Sequence, residues 1–583
     1  MAIGSRSSAA DLRPAWLQWL LPSASDLIFV ALLGLLTCTT LSVRLLGDAG
    51  IGWHIRTGQL ILATHIVPRI DPFSSMSSVT PSSVTISSVT ISSATPSSVT
   101  SGKPCFACEW FAWEWLYDVL VGWLESAGGL NGVVLFTAFL IALVFAWTFR
   151  LMLRRGTNLF IAVVLVLLSA SAAMIHFLAR PHVVSWLFTV AWLWILESSE
   201  KSYRGSHSLD SSASSIESGR NWLLWLLPPL MVVWVNVHGG FLLGFALLGI
   251  YWCGAAWQWL RLKEDRIEDV LRKIRLARRV RLLTVIGLLS AAATLVNPYG
   301  FKLHVHIYGY LSNRFLMDHI DEFQSPNFHY VAQKCFAALL LLTLVALAAK
   351  ERVTKGREIG ASQGLVVLFA VYSGLYASRN IPVSSLLLVL VIGPWLSDAM
   401  QRLAETPAAM RWRGLVSGGF FQRMGAIELR LRGHLWPVAA VVLACWIAAH
   451  DGTLGTTKLM DAHFDAKRFP VAAVNDLEKN DVQGPVMSPD YWGGYLIYRL
   501  YPRVRVVVDD RHDFYGEEFL KSYLKMVHVE PGWEDFLQQH RARYLVVPKN
   551  SALANILKET GGWNAVYTGE VTVVFIPARI ASK

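Results

Sequence analysis

Apolar positions in this chain come in runs of about 20 residues, the length a helix needs to cross the hydrocarbon of a bilayer. By that ruler about eleven spans are predicted, near 26–46, 130–150, 158–176, 183–198, 221–236, 239–260, 281–297, 333–350, 363–378, 382–400 and 435–450. After residue 450 the pattern changes. Short apolar stretches at 484–488, 504–508, 544–547, 565–567 and 571–576 predict strands, with helices at 515–527, 533–541 and 552–559. The fold class that follows is a mostly α polytopic membrane protein with a C-terminal extracytoplasmic α/β domain. Residues 1–25 form a cytoplasmic N-terminal segment, 26–450 the transmembrane domain and 451–583 the external domain. The first run lacks a small-residue cleavage pattern and is read as a retained span.

Charge gives the spans their sides. Lys and Arg collect at 150–156, 199–220, 261–281, 350–358 and 401–434, and by the positive-inside rule these segments are cytoplasmic. The intervening turns then face outwards. The first outer loop, 47–129, is long enough to hold structure of its own. Residues 53–66 and 109–125 have the spacing of helices lying along the membrane surface, while 77–101 repeats a Ser-Ser-Val-Thr unit with too few large side chains to bury a core.

Composition agrees. The 583 residues are 54% hydrophobic and 16% charged, with 24 tryptophans suited to the headgroup layer. The net charge of +11 lies between hydrophobic spans, which explains it by topology and not by nucleic acid. Of six cysteines, Cys38, Cys253 and Cys445 fall in apolar runs, and Cys105 and Cys108 form a lone C-x-x-C.

Against this apolar background the outer turns stand out. The first span ends in Gly47-Asp48-Ala49-Gly50-Ile51-Gly52-Trp53-His54, an acid, loosening glycines and a histidine. Later outer turns carry His176-Phe177-Leu178-Ala179-Arg180-Pro181-His182, Asn236-Val237-His238, Asn297-Pro298-Tyr299-Gly300 and Ser378-Arg379-Asn380. Ionisable groups at bilayer depth are costly unless paired, hydrated or used. Taken singly, each has an ordinary reading as a helix end or a packing hydrogen bond; together they predict a shared site at the outer face. Asp48 suits a general base. Arg180 and Arg379 suit a phosphate clamp. His54, His182, Asn236, His238 and Glu114 suit substrate hydroxyls, and Asp48 with the histidines could alternatively ligate a divalent metal ion, magnesium or manganese. Cofactor dependence stays open.

An acid just after the first span, a long first outer loop, many spans and an external α/β domain resemble the GT-C superfamily of integral-membrane glycosyltransferases. The resemblance implies that Asp48 matches the first-loop catalytic acid. A second acid is common in the superfamily, and Glu109, Glu114, Asp318, Asp321 and Glu322 all qualify. The segments Ser488-Pro489-Asp490-Tyr491-Trp492-Gly493-Gly494 and Val506-Val507-Val508-Asp509-Asp510-Arg511-His512-Asp513 are similar in placement to the Trp-Trp-Asp-Tyr-Gly region of oligosaccharyltransferase catalytic subunits. The Trp-Trp pair is missing here, so no acceptor-sequon role carries over. Trp53-His54 and Arg379-Asn380-Ile381-Pro382 also resemble an uncharacterised family of bacterial membrane proteins. The resemblance implies an inverting glycosyltransferase of the bacterial inner membrane. It would take a polyprenyl-phosphate-linked sugar to a glycan, lipid or protein acceptor on the extracytoplasmic face, with the external domain selecting the acceptor. A flippase of lipid-linked glycans and a non-catalytic scaffold are the rival readings.

Overall fold

The computed structural model describes residues 17–78, 109–204, 221–353, 360–403 and 420–578. Most of the Ser/Thr repeat, with Cys105 and Cys108, lies outside them. The chain divides into two compact units: one holds Met1–Leu45, Ala127–Asn297 and Met317–Ala462, the other Leu46–Ser126, Pro298–Leu316 and His463–Lys583.

The first unit is helical. Among the described residues six helices are long and apolar enough to cross a membrane: Gln18–Cys38, Trp115–Arg154, Leu159–His176, Gly239–Arg261, Val331–Ala349 and Ser378–Leu403. The pair Arg423–Arg430 and Leu435–Ala449, bent by 59°, makes seven if it counts as one span. This is fewer than the eleven expected. The other predicted spans are helices, but Trp222–Val237 and Ala361–Tyr376 are short, halted by the Asn236-Val237-His238 and Ser378-Arg379 turns. His182–Arg204 and Ile267–Ala293 dilute their apolar residues with charge at one end. Helix Trp115–Arg154 is broken at Gly128 and Gly129, and its first turns, up to Ser126, belong to the second unit.

Helix Ile381–Leu403 forms the middle of the first unit. It is buried on every face from Ile381 to Gly393, as expected of a helix that is apolar all round. Hydroxyls cross-link it to its neighbours: Ser169 and Ser385 Oγ lie 3.0 Å apart, and Ser397 Oγ accepts the Asn158 amide at 2.8 Å. Such bonds replace the hydrophobic drive that lipid-facing helices lack.

In the second unit, three stretches of chain share one core. Strands Val486–Met487, Tyr544–Pro548, Thr572–Pro577 and Trp563–Thr568 lie side by side in that order. The first two are parallel and the rest antiparallel. Parallel bridges from Val486 to Val506 and from Val506 to Ser74 extend the sheet into the first-loop segment. Helix Gly50–Thr64 is held by glycine contacts on two sides. A Cβ on Gly52 would collide with the carbonyl of Gly494 in helix Asp490–Leu500, and one on Gly58 with the carbonyl of Asp118. Residues 53–66, read from sequence as a surface helix, are thus mostly buried as far as Ile61.

Candidate functional site

The predicted site residues fall in both units. Asp48, His54 and Glu114 belong to the second; Arg180, His182, Asn236, His238 and Arg379 belong to the first.

In the second unit, Asp48 precedes helix Gly50–Thr64, and its Oδ1 accepts the Gly50 amide at 2.8 Å. An acid in this place meets the unsatisfied amides of a helix start, where negative charge is favoured. One turn on, His54 is fully buried. Its Nδ1 lies 2.5 Å from Asp118 Oδ1 and its Nε2 3.7 Å from Glu114 Oε2, with the Trp53 ring 3.6 Å from its own and the Tyr117 ring edge-on. Trp53 Nε1 donates to Asp510 Oδ1 at 3.0 Å.

That bond leads into the segment 509–513, where each polar side chain has a partner. The buried Arg511 donates to both oxygens of Asp509, at 2.8 and 2.6 Å, and to Asp71 Oδ1 at 2.7 Å. Trp110 and Phe514 lie 4.7 and 5.2 Å from its guanidinium carbon. Burial works against the charge on Arg511, but Asp509 and then Asp71 more than restore it and hold its pKa well above the ordinary value. Burial likewise favours a neutral Asp71, and Arg511 outweighs it, so the carboxyl sits below its usual range. His512 Nε2 donates to Asp490 Oδ2 at 2.8 Å, and His306 Nε2 to Asp513 Oδ2 at 3.0 Å. Sequence reasoning assigned no role to Asp71, Asp118 or Arg511. A pair 440 residues apart leaves no periodic signal.

In the first unit, the polar turns converge. Arg379 pairs with Glu322 at 3.4 Å and lies over the Phe323 ring. The turns are tied together by Ser378, whose amide and hydroxyl both donate to the Gln324 carbonyl, at 2.9 and 3.0 Å. Crowding by protein atoms would raise the Glu322 carboxyl, yet Arg379, with His176, Arg180 and His182, brings it down to about 2. His238 is pushed to about 3, first by desolvation and then by Arg379, and is neutral at physiological pH. Its tautomer is fixed. The Gly240 amide donates to Nδ1 at 2.9 Å, which leaves the ring proton on Nε2. Ser185 Oγ sits 2.8 Å from the same nitrogen and accepts the Trp234 indole N–H. His182 Nε2 donates to the His176 carbonyl at 2.9 Å. Asn236 bridges the carbonyls of Val232 and Val296, both at 2.7 Å, and so anchors the turn that follows helix Ile267–Ala293. Of the acids weighed as a second functional carboxylate, Glu322 is the one this structure places among the arginines and histidines of the polar turns.

Among the described residues no group of three or more His, Cys, Asp or Glu side chains is placed to hold a metal ion.

No protein-family model matches the chain, and no curated protein does. Among solved structures it is similar to the oligosaccharyltransferase of Archaeoglobus fulgidus in complex with zinc and sulfate. The TM-score is 0.49 at 12% identity, over 96% of this chain and 73% of that one.

Proposed function

We propose that this protein is an inverting membrane glycosyltransferase that moves a sugar from a polyprenyl-phosphate-type donor to an acceptor on the extracytoplasmic face of the bacterial inner membrane. The observation that carries the reading is the gathering of Arg180, Arg379, His176, His182 and His238 around Glu322 where apolar helices end. Arginines held in a largely apolar setting suit a phosphate whose remainder is a hydrocarbon chain.

In the reaction, the acceptor's nucleophilic atom bonds to the anomeric carbon from the face opposite the phosphate. The bond from that carbon to the phosphate oxygen breaks, and its electron pair leaves with the phosphate. Arg379 and Arg180 stabilise the charge that grows there. The acceptor's proton passes to the carboxylate of Asp48, an assignment supported by its place at the start of helix Gly50–Thr64 and by its half-exposed position. His182 and His238 orient the sugar, His238 as a neutral donor through Nε2. His54 and Glu114 steady the helix that Asp48 precedes. The C-terminal α/β region selects the acceptor.

The test is sugar transfer by the purified protein in lipid, from labelled polyprenyl-phosphate sugars to a membrane extract. Asp48→Asn is expected to lower kcat by about 10²–10⁴-fold. Arg379→Ala is expected to lower it by about 10²–10³-fold. Equal transfer by wild type and Asp48→Asn would remove Asp48 from the chemistry. Passage of an intact lipid-linked sugar across the vesicle without transfer would favour a flippase.

A further inference from the structure

The two arginines of the polar turns act on one carboxylate, and the backbone that carries it is held. Glu322 lies on the single turn Asp321–Phe323. Ser378 pins the next residue but one through its two bonds to the Gln324 carbonyl, and the Gln324 side-chain amide donates to the Met317 carbonyl at 2.9 Å. Phe323, between them, lies 4.4 Å from the Arg379 guanidinium carbon. The turn that bears Glu322 is thus tied to the turn that bears Arg379.

The pair does not use up the guanidinium. Arg379 Nη1 meets Glu322 Oε1 at 3.4 Å, longer than the roughly 2.7–2.9 Å of a tight charge-assisted bond. An arginine has five N–H donors, and both side chains are part-exposed, so a second anion can reach the same group. The charges that bear on the His238 ring are those of Arg379, Glu322 and Arg180. Two arginines against one glutamate leave a surplus of one positive charge. Asp318 and Asp321, on the same segment, are exposed to screening by water and salt, and whatever they add has the sign of Glu322.

A surplus of one matches a phosphodiester, which carries one negative charge. A diphosphate diester carries two, and its second charge meets the like charge of Glu322. The hydrocarbon cannot make this distinction. Leu368, Tyr372 and Tyr376 are exposed along one face of helix Ala361–Tyr376, which runs into the Ser378 turn, and they offer either compound the same apolar seat.

We infer that Glu322 determines donor specificity: it fits the site to a sugar joined to its polyprenyl chain through one phosphate and turns away the diphosphate-linked counterpart. The inference rests on the phosphate-binding role given above to Arg379 and Arg180, and it narrows the donor to one charge class.

The test is competition binding at pH 8 to the full-length protein in phosphatidylcholine nanodiscs. The probes are the methyl esters of a polyprenyl phosphate and of the matching diphosphate, which carry one and two charges without committing to a sugar. Imidazoles have an ordinary pKa of about 6.5, so this pH leaves the count to the arginines and the carboxylate. Wild type is expected to bind the phosphate ester at least about ten-fold more tightly than the diphosphate ester. Glu322→Gln, which keeps the side chain's size and drops its charge, is expected to close that gap to within about two-fold, while Glu322→Asp keeps most of it. Thermal transitions close to that of wild type show both variants folded. An unchanged preference in Glu322→Gln, or equal or tighter binding of the diphosphate ester by wild type, would overturn the inference and leave the phosphate site standing. Binding of neither probe by folded wild type would remove the phosphate site and the inference together.

Discussion

The second unit's charged segment and the first unit's polar turns use the same residue types to opposite ends. Around Arg511 the charges close on one another: two carboxylates enclose one guanidinium and aromatic faces pack about it. Around Glu322 the excess has the opposite sign, because one carboxylate lies in the field of two arginines, Arg379 and Arg180. A dry network with one more anion than cation fixes chain segments to each other. A cationic surplus at the end of apolar helices favours an anion brought from outside. An arginine's role is therefore read from how its neighbours balance it, and not from its type or its depth.

The contrast can be broken most severely at Arg511. Arg511→Met leaves Asp71 and Asp509 buried without their cation and is expected to cost about 3–5 kcal/mol, seen as a large fall in thermal unfolding temperature in detergent. Trp53→Phe keeps an aromatic side chain but removes the five-membered ring with the N–H that reaches Asp510; about 1–3 kcal/mol is expected by chemical denaturation. Arg379→Ala breaks an ion pair whose side chains are 30% and 37% exposed, so its stability cost is expected to stay under about 1 kcal/mol while transfer collapses. A large unfolding effect there would erase the distinction between the two regions.

The finest test uses pH. Burial opposes both charges of the His512–Asp490 pair, but their hydrogen bond outweighs it, raising His512 above 6.5 and lowering Asp490 below 3.8. The His512 contribution is fully present below 6.5 and is lost as pH rises through the raised folded value. That of Asp490 is present above 3.8 and is lost as pH falls through the lowered one. His512→Gln is expected to flatten the stability profile on the alkaline side of about pH 6.5. A profile with its alkaline slope intact would mean that the pair does not form.

Some of this was legible in the sequence. The apolar runs announce helices, though fewer of them are long enough to span than expected, and the strands at 486–487, 544–548, 563–568 and 572–577 follow four of the five predicted stretches, 504–508 being the exception. The convergence of the 176–182, 236–238 and 378–380 turns was also foreseeable, since each interrupts an apolar helix on the same inferred side. Helix Asp490–Leu500 was not legible, because Gly493 and Gly494 look like breakers until Gly494 is seen admitting the backbone of helix Gly50–Thr64. Glu322 was one acid among several, and only the fold sets it beside Arg379. Asp71 and Arg511 are joined by tertiary structure alone, in a core assembled from three distant stretches of chain.

That assembly has a consequence in time. Asp71 leaves the ribosome 440 residues ahead of Arg511. At about 5–20 residues per second the interval is roughly 20–90 s. Through it, the membrane helices are made while an acid destined for a dry core still lacks its cation. The second unit is thus completed late in synthesis, and a chain that stalls before residue 511 carries its first-loop segment with no means of closing around it.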